Sequence, residues 1–178
     1  MTSEYNPFKT AIKRGGALSK PMSILLTKKL LHGKILDFGC GYGEDVKMLS
    51  VHPFNYNIQG YDKYSPEFSK NYALVNDEYD IITCNYMFNV IPDLETHRVI
   101  LDTLLSMCKV AYIAVRSDTK AIKKNWTFDE RNFSYWTGKS YQRFYNDELI
   151  CRLFGEVEYI VKNNSFILFK LKGSGNNE

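Results

Sequence analysis

The sequence predicts a doubly wound α/β domain, in which helices cover both faces of a mostly parallel sheet. Short apolar segments that end in glycine or in an acidic residue alternate with segments of helical periodicity, as in repeated strand–helix units. A glycine-rich turn, Gly39-Cys40-Gly41-Tyr42-Gly43, directly follows the first apolar segment. The chain closes on two apolar runs separated by a polar turn at residues 162–165, a hairpin pattern that makes one strand antiparallel to the others.

The elements are expected in the following order. Strands are predicted at residues 34–38, 57–62, 79–84, 110–115, 157–161 and 166–171, within a seven-stranded sheet of order 3-2-1-4-5-7-6. Helices are predicted at residues 21–31, 44–50, 94–108 and 146–154. Ser19 and Asp93 precede two of them and have the side chains that cap helix N-termini.

The chain length suits a single domain spanning residues 1–172. Within it we distinguish a basic N-terminal segment, residues 1–18, and an insertion, residues 117–145; residues 173–178 form a Gly/Ser/Asn-rich tail that we expect to be disordered. The net charge of +3 is compatible with a nucleic-acid partner but supplies little general attraction.

Several classes of protein are disfavoured by composition. The four cysteines form no CxxC pair and the three histidines have no ligand spacing, so we expect reduced thiols and no metal site. No apolar run approaches the ~20 residues of a membrane span. The N-terminus lacks the apolar stretch of a signal peptide, so we expect a cytoplasmic protein.

Three predicted strands end in residues suited to binding a ligand, and ligands of open α/β sheets lie beyond these ends. The first strand ends at Asp37-Phe38 and runs into the glycine turn, whose residues allow the backbone to turn sharply. The second ends at Asp62, which can accept hydrogen bonds from both hydroxyls of a ribose. The third leads into Asn85 and Tyr86, which would face the reacting group.

The turn favours S-adenosylmethionine (SAM) over a dinucleotide or a nucleoside triphosphate. Dinucleotide folds use G-x-G-x-x-G, but the position of the third glycine is occupied by Glu44. Asp37 would repel a pyrophosphate and attract the cationic α-amino and sulfonium groups of SAM. The Gly-Lys-Ser/Thr of a phosphate-binding Walker loop is absent from the sequence.

This combination resembles the class I SAM-dependent methyltransferases over roughly residues 19–171. Asp37-Phe38-Gly39-Cys40-Gly41-Tyr42-Gly43 is similar to their glycine-rich motif, Asp62 falls at their ribose-binding acid, and the terminal hairpin matches their seven-stranded sheet. The resemblance implies methyl transfer from SAM on a Rossmann-like fold. It places the cofactor against Asp37, Phe38, Gly39, Cys40, Gly41, Gly43, Asp62, Lys63 and Asn85.

A narrower resemblance concerns bacterial DNA phosphorothioation-associated methyltransferases, which are longer than this chain. It is carried by Thr10-Ala11-Ile12-Lys13-Arg14, Leu18-Ser19-Lys20-Pro21, Asp45-Val46, Asn89-Val90-Ile91 and Tyr141-Gln142-Arg143-Phe144-Tyr145. It implies an association with phage or mobile-element DNA and does not extend to a substrate.

Asn85 and Tyr86 are the candidate catalytic residues, at the point of methyl transfer. Nucleic-acid amino-methyltransferases often carry an Asn/Asp-Pro-Pro-aromatic motif here, whereas Asn85-Tyr86-Met87-Phe88 has the asparagine without the prolines. That departure weighs against methylation of an exocyclic amine. A purely structural role for these residues stays open.

The insertion is the candidate substrate face, because it interleaves eight aromatic residues with six cations. Such a mixture suits base stacking and phosphate contact, so DNA or RNA is the favoured acceptor. We select Arg116, Trp126, Tyr141 and Arg143 as substrate-side candidates. The alternatives are packing against the sheet edge, a small-molecule or protein acceptor, and a non-catalytic SAM-binding module that works with a partner protein.

The basic stretch at residues 9–20 has two interpretations of equal weight. It could close over the cofactor or touch phosphates, or it could be solvated charge.

Overall fold

Nine strands and four α-helices follow one another along residues 5–175, the part of the chain that this computed structural model describes. The strands are β1 (Lys34–Phe38), β2 (Asn57–Tyr61), β3 (Tyr79–Asn85), β4 (Cys108–Arg116), β5 (Thr127–Asp129), β6 (Ser134–Trp136), β7 (Tyr141–Gln142), β8 (Glu158–Lys162) and β9 (Phe166–Lys172). The helices are α1 (Lys20–Thr27), α2 (Glu44–Leu49), α3 (Leu94–Ser106) and α4 (Asp147–Phe154). Four 3₁₀ segments accompany them, Pro7–Thr10, Ser69–Asn76, Met87–Val90 and Thr119–Ala121.

The main sheet confirms the predicted α/β class and its antiparallel strand. Its order is β2-β1-β3-β4-β9-β8. The first four strands pair in parallel, and β9 runs antiparallel to both β4 and β8. The described sheet therefore has six strands, in an order that matches the predicted one with its outermost strand missing.

The missing strand would have paired with the outer edge of β2. In its place the chain forms the 3₁₀ segment Ser69–Asn76, and the side-chain amide of Asn71 donates to the Gly60 carbonyl over 3.0 Å. Residues 69–78 have one short apolar run, at residues 72–75, between polar residues, and they lack the alternation of apolar and polar side chains that a half-buried strand has. A side chain therefore takes the place of a ladder hydrogen bond on β2.

Alternate residues of the strands supply two apolar layers, one on each face of the sheet. Helices α1 and α2 cover one face, which includes Ile35 and Ile81. Helices α3 and α4 cover the other, which includes Leu36 and Ile82. This alternation directs Asp37 and Thr83 towards α2, and the site is built on that side.

The helix boundaries follow local capping chemistry. Ser19 and Asp93 accept hydrogen bonds from Met22 N and Thr96 N, so both predicted caps are confirmed. Helix α1 ends at Thr27, earlier than predicted, because Lys29 adopts a left-handed conformation and Leu30 N donates back to the Leu25 carbonyl.

The insertion at residues 117–145 carries a second sheet, of order β5-β6-β7. It leaves the carboxyl end of β4 and returns to it, since Tyr145 N donates to the Arg116 carbonyl over 2.8 Å. We call residues 117–145 the lid, because the insertion lies at the rim of the sheet where the strands of the site end.

The end of the described chain is ordered by backbone hydrogen bonds. Gly173 N donates to Lys109 O and Ser174 N to Leu105 O, over 2.9 and 2.8 Å. Residues 173–175, which we predicted to begin a disordered tail, therefore bind to the end of α3 and the start of β4. The rest of the predicted tail, residues 176–178, lies outside the described part. Between residues 5 and 175, no helix has the length and apolar character needed to cross a bilayer.

Candidate functional site

Two side chains on neighbouring strands form the centre of the site. Asp37 of β1 pairs in register with Thr83 of β3, and Thr83 Oγ1 donates to Asp37 Oδ1 over 2.8 Å. Asp37 is only 3% exposed. Burial, together with the nearby charge of Asp45, raises the pKa of Asp37 to about 8, although the Thr83 hydrogen bond acts in the opposite direction. The positive charge of a ligand beside this carboxyl would favour its ionised form.

The glycine turn confirms the predicted need for glycine. Gly39, Gly41 and Gly43 have φ values of 75°, 59° and 67°, in the left-handed region that other residues rarely occupy. A Cβ on Gly43 would lie 2.2 Å from the Phe68 ring, and one on Gly39 would lie 2.9 Å from the Met87 side chain. The turn therefore approaches other parts of the rim closely at both of these glycines.

Asp62, at the end of β2, is bound to backbone amides on both sides of the rim. Its Oδ2 accepts from Gly41 N over 2.9 Å, and its Oδ1 accepts from Tyr64 N and Ser65 N over 2.9 and 3.1 Å. A carboxylate offers about four acceptor positions. One position remains for a ligand, so we now expect a single ribose hydroxyl here rather than the two we predicted. The neighbouring Lys63 is exposed and lies 5.6 Å from the Tyr64 ring.

Two predicted cofactor residues direct their side chains away from the rim. Phe38 packs in the layer beneath α3, with its ring 5.3 Å from that of Tyr61. Cys40 packs beside Gly60, and burial raises the pKa of its thiol far above the ordinary value. Only the backbone of these two residues is available to a cofactor, because alternation along β1 places Phe38 on the opposite face from Asp37.

Asn85 ends β3 on the same face as Thr83. Both polar atoms of its side chain, Oδ1 and Nδ2, are buried and have no hydrogen-bond partner among residues 5–175. An unpartnered buried amide is costly in a folded protein. These two atoms are therefore the clearest indication of a ligand position along the rim.

Tyr86 adopts a left-handed conformation with φ at 64°, which is rare for a residue other than glycine. Its ring lies 6.1 Å from that of Phe166 and packs on the α1 and α2 side of the sheet. Burial raises the pKa of Tyr86 to about 12, so the phenol stays protonated at neutral pH. The strained backbone directs the following residues, 87–92, across the rim; we call residues 86–92 the transfer loop.

The N-terminal segment runs across the glycine turn, which supports the first of its two predicted roles. We call residues 5–18 the strap. The Phe8 ring lies 4.8 Å from that of Tyr42, and Arg14 forms an ion pair with Asp45 over 2.9 Å. Glu44 accepts from Arg14 N over 2.6 Å. The acidic residues in the first turn of α2 therefore bind both the backbone of the strap and the charged side chain of Arg14.

Tyr5 was not identified from the sequence. Its hydroxyl donates to the Val90 carbonyl, and its ring lies 5.3 Å from that of Tyr141 in an edge-on arrangement. Burial raises the pKa of Tyr5 above its usual range, with further contributions from Tyr64 and Tyr141. The strap, the transfer loop and the lid therefore meet at this one side chain. No local pattern indicates it, since Val90 lies 85 residues away.

Two of the substrate-side candidates are part of the lid's own packing. The Arg116 guanidinium donates to both oxygens of Asp118, over 2.9 and 2.8 Å, and to Gln142 over 3.0 Å. It also lies 4.9 Å from the Phe144 ring. Trp126 is stacked on that same ring at 6.4 Å. Both side chains stay partly exposed, so their role in substrate binding stays a prediction.

Arg143 is buried, contrary to its predicted position on the substrate face. Its side chain has no exposed surface, and its guanidinium donates to main-chain carbonyls of the lid and the transfer loop. Arg116 ends β4 at the rim but is engaged by Asp118 and Gln142. Tyr141 also lies beside the rim, with its ring 5.0 Å from that of Trp136 and close to Tyr5.

The residues present fit SAM. The buried carboxyl of Asp37 suits a cationic group, Asp62 retains an acceptor position, and the Asn85 amide is unpartnered. All three lie at the carboxyl ends of β1, β2 and β3, which are neighbours in the sheet. A metal site is not indicated, because no group of three His, Cys, Asp or Glu side chains converges within the described residues.

Comparison with known proteins agrees with this geometry. Residues 11–156 match a protein family described as "Methyltransferase domain". No curated protein sequence matches the chain.

Solved structures of methyltransferases share the fold at low sequence identity. A SAM-dependent methyltransferase from Clostridium acetobutylicum aligns with a TM-score of 0.60 at 15% identity, over 96% of each chain. The 1,6-didemethyltoxoflavin-N1-methyltransferase of Burkholderia thailandensis, with S-adenosylhomocysteine (SAH) bound, aligns with a TM-score of 0.57 at 12% identity, over 86% of this chain and 76% of its own. Magnesium protoporphyrin IX methyltransferase from Synechocystis PCC 6803, also with bound SAH, gives 0.53 at 14% identity, over 86% and 80%.

Proposed function

This chain belongs to the methyltransferase-domain family, and from that membership we propose that it methylates a small organic molecule held between the strap and the lid. It is a SAM-dependent methyltransferase. The identity of the acceptor is the part that we propose. The link that Tyr5 makes between the transfer loop and the lid is the observation that carries it.

The cofactor-binding side of the site consists of the ends of β1, β2 and β3. SAM supplies a methyl group that its sulfonium already activates for displacement. Asp37 would face the cationic amino-acid portion, and Asp62 would accept one ribose hydroxyl through its remaining acceptor position. The main role of the protein is to align the acceptor with the methyl group, which is a contribution of proximity. Asn85, with its unpartnered amide, is placed to orient the acceptor.

Access to the rim favours a small acceptor. Tyr5 reaches from the strap to the Val90 carbonyl and packs against Tyr141, so the strap and lid meet above the transfer loop. A base of a polynucleotide would have to displace this contact, and we propose that a small acceptor does not. Two similar structures are named for small acceptors, 1,6-didemethyltoxoflavin and magnesium protoporphyrin IX.

A nucleic-acid acceptor, which the sequence favours, is our second candidate, because Lys120, Lys123 and Lys124 are exposed on the lid. Arg143 does not belong with them, since it is buried. If DNA or RNA is bound there, affinity should fall steeply with salt through counterion release. Replacing the three lysines with alanine should flatten that dependence and leave SAM affinity unchanged. The association with phosphorothioation and mobile elements stays a prediction.

The decisive experiment traces the methyl group. The protein is incubated with SAM that carries a labelled methyl group and with a cell extract separated into metabolite, protein, RNA and DNA fractions. We expect label in the metabolite fraction. Label in DNA or RNA would favour the second candidate, and label in protein would contradict both. SAM binding without transfer of label would indicate either a non-catalytic module or the need for a partner protein. Repeating the incubation with added cellular proteins separates these two cases, because label appears only if a partner is needed.

A further inference from the structure

Arg143 is a completely buried arginine whose charged group is surrounded by main-chain oxygens. Nε and Nη2 donate to the Asn132 carbonyl over 3.1 and 2.9 Å, and Nη2 also reaches the Pro92 carbonyl over 3.3 Å. Nη1 donates to the Phe88 carbonyl and to the Tyr145 hydroxyl, each over 3.4 Å. All of the guanidinium nitrogens are therefore engaged in hydrogen bonds.

The described residues provide no carboxylate that forms an ion pair with Arg143. The Asp93 carboxylate interacts with the guanidinium only from beyond ion-pair distance. Burying a charge without an ion pair costs several kcal/mol in general, so hydrogen bonds must offset much of that cost. The nearby His97 adds no second charge, because burial lowers its pKa to about 3 and keeps it neutral. A leucine or methionine would fill the same volume without this cost. The position therefore uses the directional donors of arginine rather than its charge.

The carbonyls that Arg143 binds come from two different parts of the site. Phe88 and Pro92 lie in the transfer loop, which begins directly after Asn85. Asn132 lies in the lid, in the turn between β5 and β6. The main chain joins the same two parts, since Arg143 N donates to the Asn89 carbonyl over 2.7 Å. Tyr145 adds a hydrogen bond from its hydroxyl to the Phe88 carbonyl over 3.0 Å.

We propose that Arg143 is a positioning residue for methyl transfer, which fixes the lid and the transfer loop against each other. The proposal rests on the proposed function, because the lid is taken to hold the acceptor. The acceptor contacts the lid, whereas Asn85 and the cofactor site belong to the sheet. A fixed relation between lid and loop therefore sets the distance between acceptor and methyl group, to which transfer rates are highly sensitive.

The test compares Arg143→Met with Arg143→Lys and with a matched control. Methionine keeps much of the volume and removes every donor, and lysine keeps the charge and part of the hydrogen bonding. Arg131→Met is the control, because Arg131 is an exposed arginine of the same lid. For each variant we would measure SAH affinity by calorimetry, hydrogen exchange at residues 88–92 and 132–134, and the rate of labelled-methyl incorporation into the fraction that the wild type labels.

We expect Arg143→Met to lower the incorporation rate by about ten- to one-hundred-fold. Exchange should rise in both segments while SAH affinity and the KM for SAM stay at the wild-type values. Arg143→Lys should recover part of the rate, and Arg131→Met should behave as the wild type. A purely structural role predicts a different outcome, in which SAH binding and rate fall together as the folded fraction falls.

Two outcomes would overturn the proposal: an incorporation rate in Arg143→Met equal to that of Arg131→Met, or a loss of SAH affinity in proportion to the rate. If Arg143→Met does not fold, Tyr145→Phe removes one donor to the Phe88 carbonyl and one acceptor of Arg143 while it leaves the arginine in place, and the same two comparisons apply. If the wild type labels no fraction, the proposed function fails. The coupling of lid and loop is then judged by exchange, and unchanged exchange at residues 88–92 would overturn it.

Discussion

Thr83 donates a hydrogen bond of 2.8 Å to Asp37 across the junction of β3 and β1. The two residues are 46 positions apart in the chain and are brought together by the parallel register of their strands. This contact keeps a buried carboxyl oriented at the rim. The state of that carboxyl governs how the free protein responds to pH.

Asp37→Asn should remove a pH dependence of folding stability. The pKa of Asp37 is about 8 in the folded protein and near 3.8 when unfolded, so the folded state binds more protons between these values. The free energy of unfolding should then fall as pH rises from about 4 to about 8, by up to ~1.4 kcal/mol per pH unit, and level off above. Denaturant unfolding of both proteins across this range measures the difference.

Asp77→Asn is the matched control for this change. Asp77 is exposed beside Lys34, at the amino-terminal end of β1 and away from the rim. The hydrogen bond from Lys34 lowers the pKa of Asp77. Its contribution to stability changes only below pH ~4, so this variant should keep the wild-type slope at higher pH. A constant difference between wild type and Asp37→Asn from pH 4 to 8 would show that Asp37 is ionised in the folded protein.

Asp62→Ala should weaken cofactor binding. The substitution removes one ribose acceptor and the charge-assisted bonds that hold Gly41 and Tyr64 in place. Bonds of this kind contribute ~1.5–3 kcal/mol each, so SAH affinity should fall at least about tenfold in a calorimetric titration. Asp77→Ala, far from the rim, should bind SAH normally. Equal affinity in both variants would remove Asp62 from the site.

Glu44→Ala should release the strap from α2. Glu44 accepts from Arg14 N and Gly16 N, over 2.6 and 3.4 Å, and these acceptors disappear with the carboxylate. Trypsin should then cleave after Lys9, Lys13 or Arg14 faster than in the wild type, because local opening exposes the backbone. Glu95→Ala is the control, since Glu95 occupies the first turn of α3 without contacting the strap. Unchanged cleavage would mean that the aromatic contacts and the Arg14–Asp45 ion pair are sufficient to hold the strap.

Asn85→Ala should separate stability from activity. Since neither polar atom of Asn85 has a partner, their removal leaves the free energy of unfolding unchanged or raises it, by up to ~1–3 kcal/mol. Methyl incorporation should nevertheless fall. Asn146→Ala provides the contrast, because Asn146 caps α4 through Leu149 N and its loss should cost ~1 kcal/mol. A clear destabilisation of Asn85→Ala would assign Asn85 to the structure rather than to the site.

Local chemistry is sufficient to predict much of the fold from the sequence. Some features depend only on residues within one turn or one strand. They are the limits of β1, the caps at Ser19 and Asp93, and the left-handed backbone at Gly39 and Gly43. The location of the site at the carboxyl ends of the strands can also be predicted, since the sequence indicates where each strand ends and which polar residues follow it. Asp37, Asp62 and Asn85 were found in this way.

Contacts between distant residues are decided only when the chain is folded. The basic and aromatic side chains of Arg143, Arg116 and Trp126 predict a substrate surface. The sequence does not indicate which main-chain carbonyl groups will bind Arg143, because every residue has a carbonyl group. Tyr5 belongs to the site only because the strap crosses the rim, and β2 is an edge strand only because Asn71 occupies the place of a partner. The sequence by itself determined the six strands of the main sheet and the caps at Ser19 and Asp93, and it predicts the cofactor end of the site. The tertiary structure decided which cations are buried and what covers the acceptor, since both depend on backbone groups that carry no sequence signal.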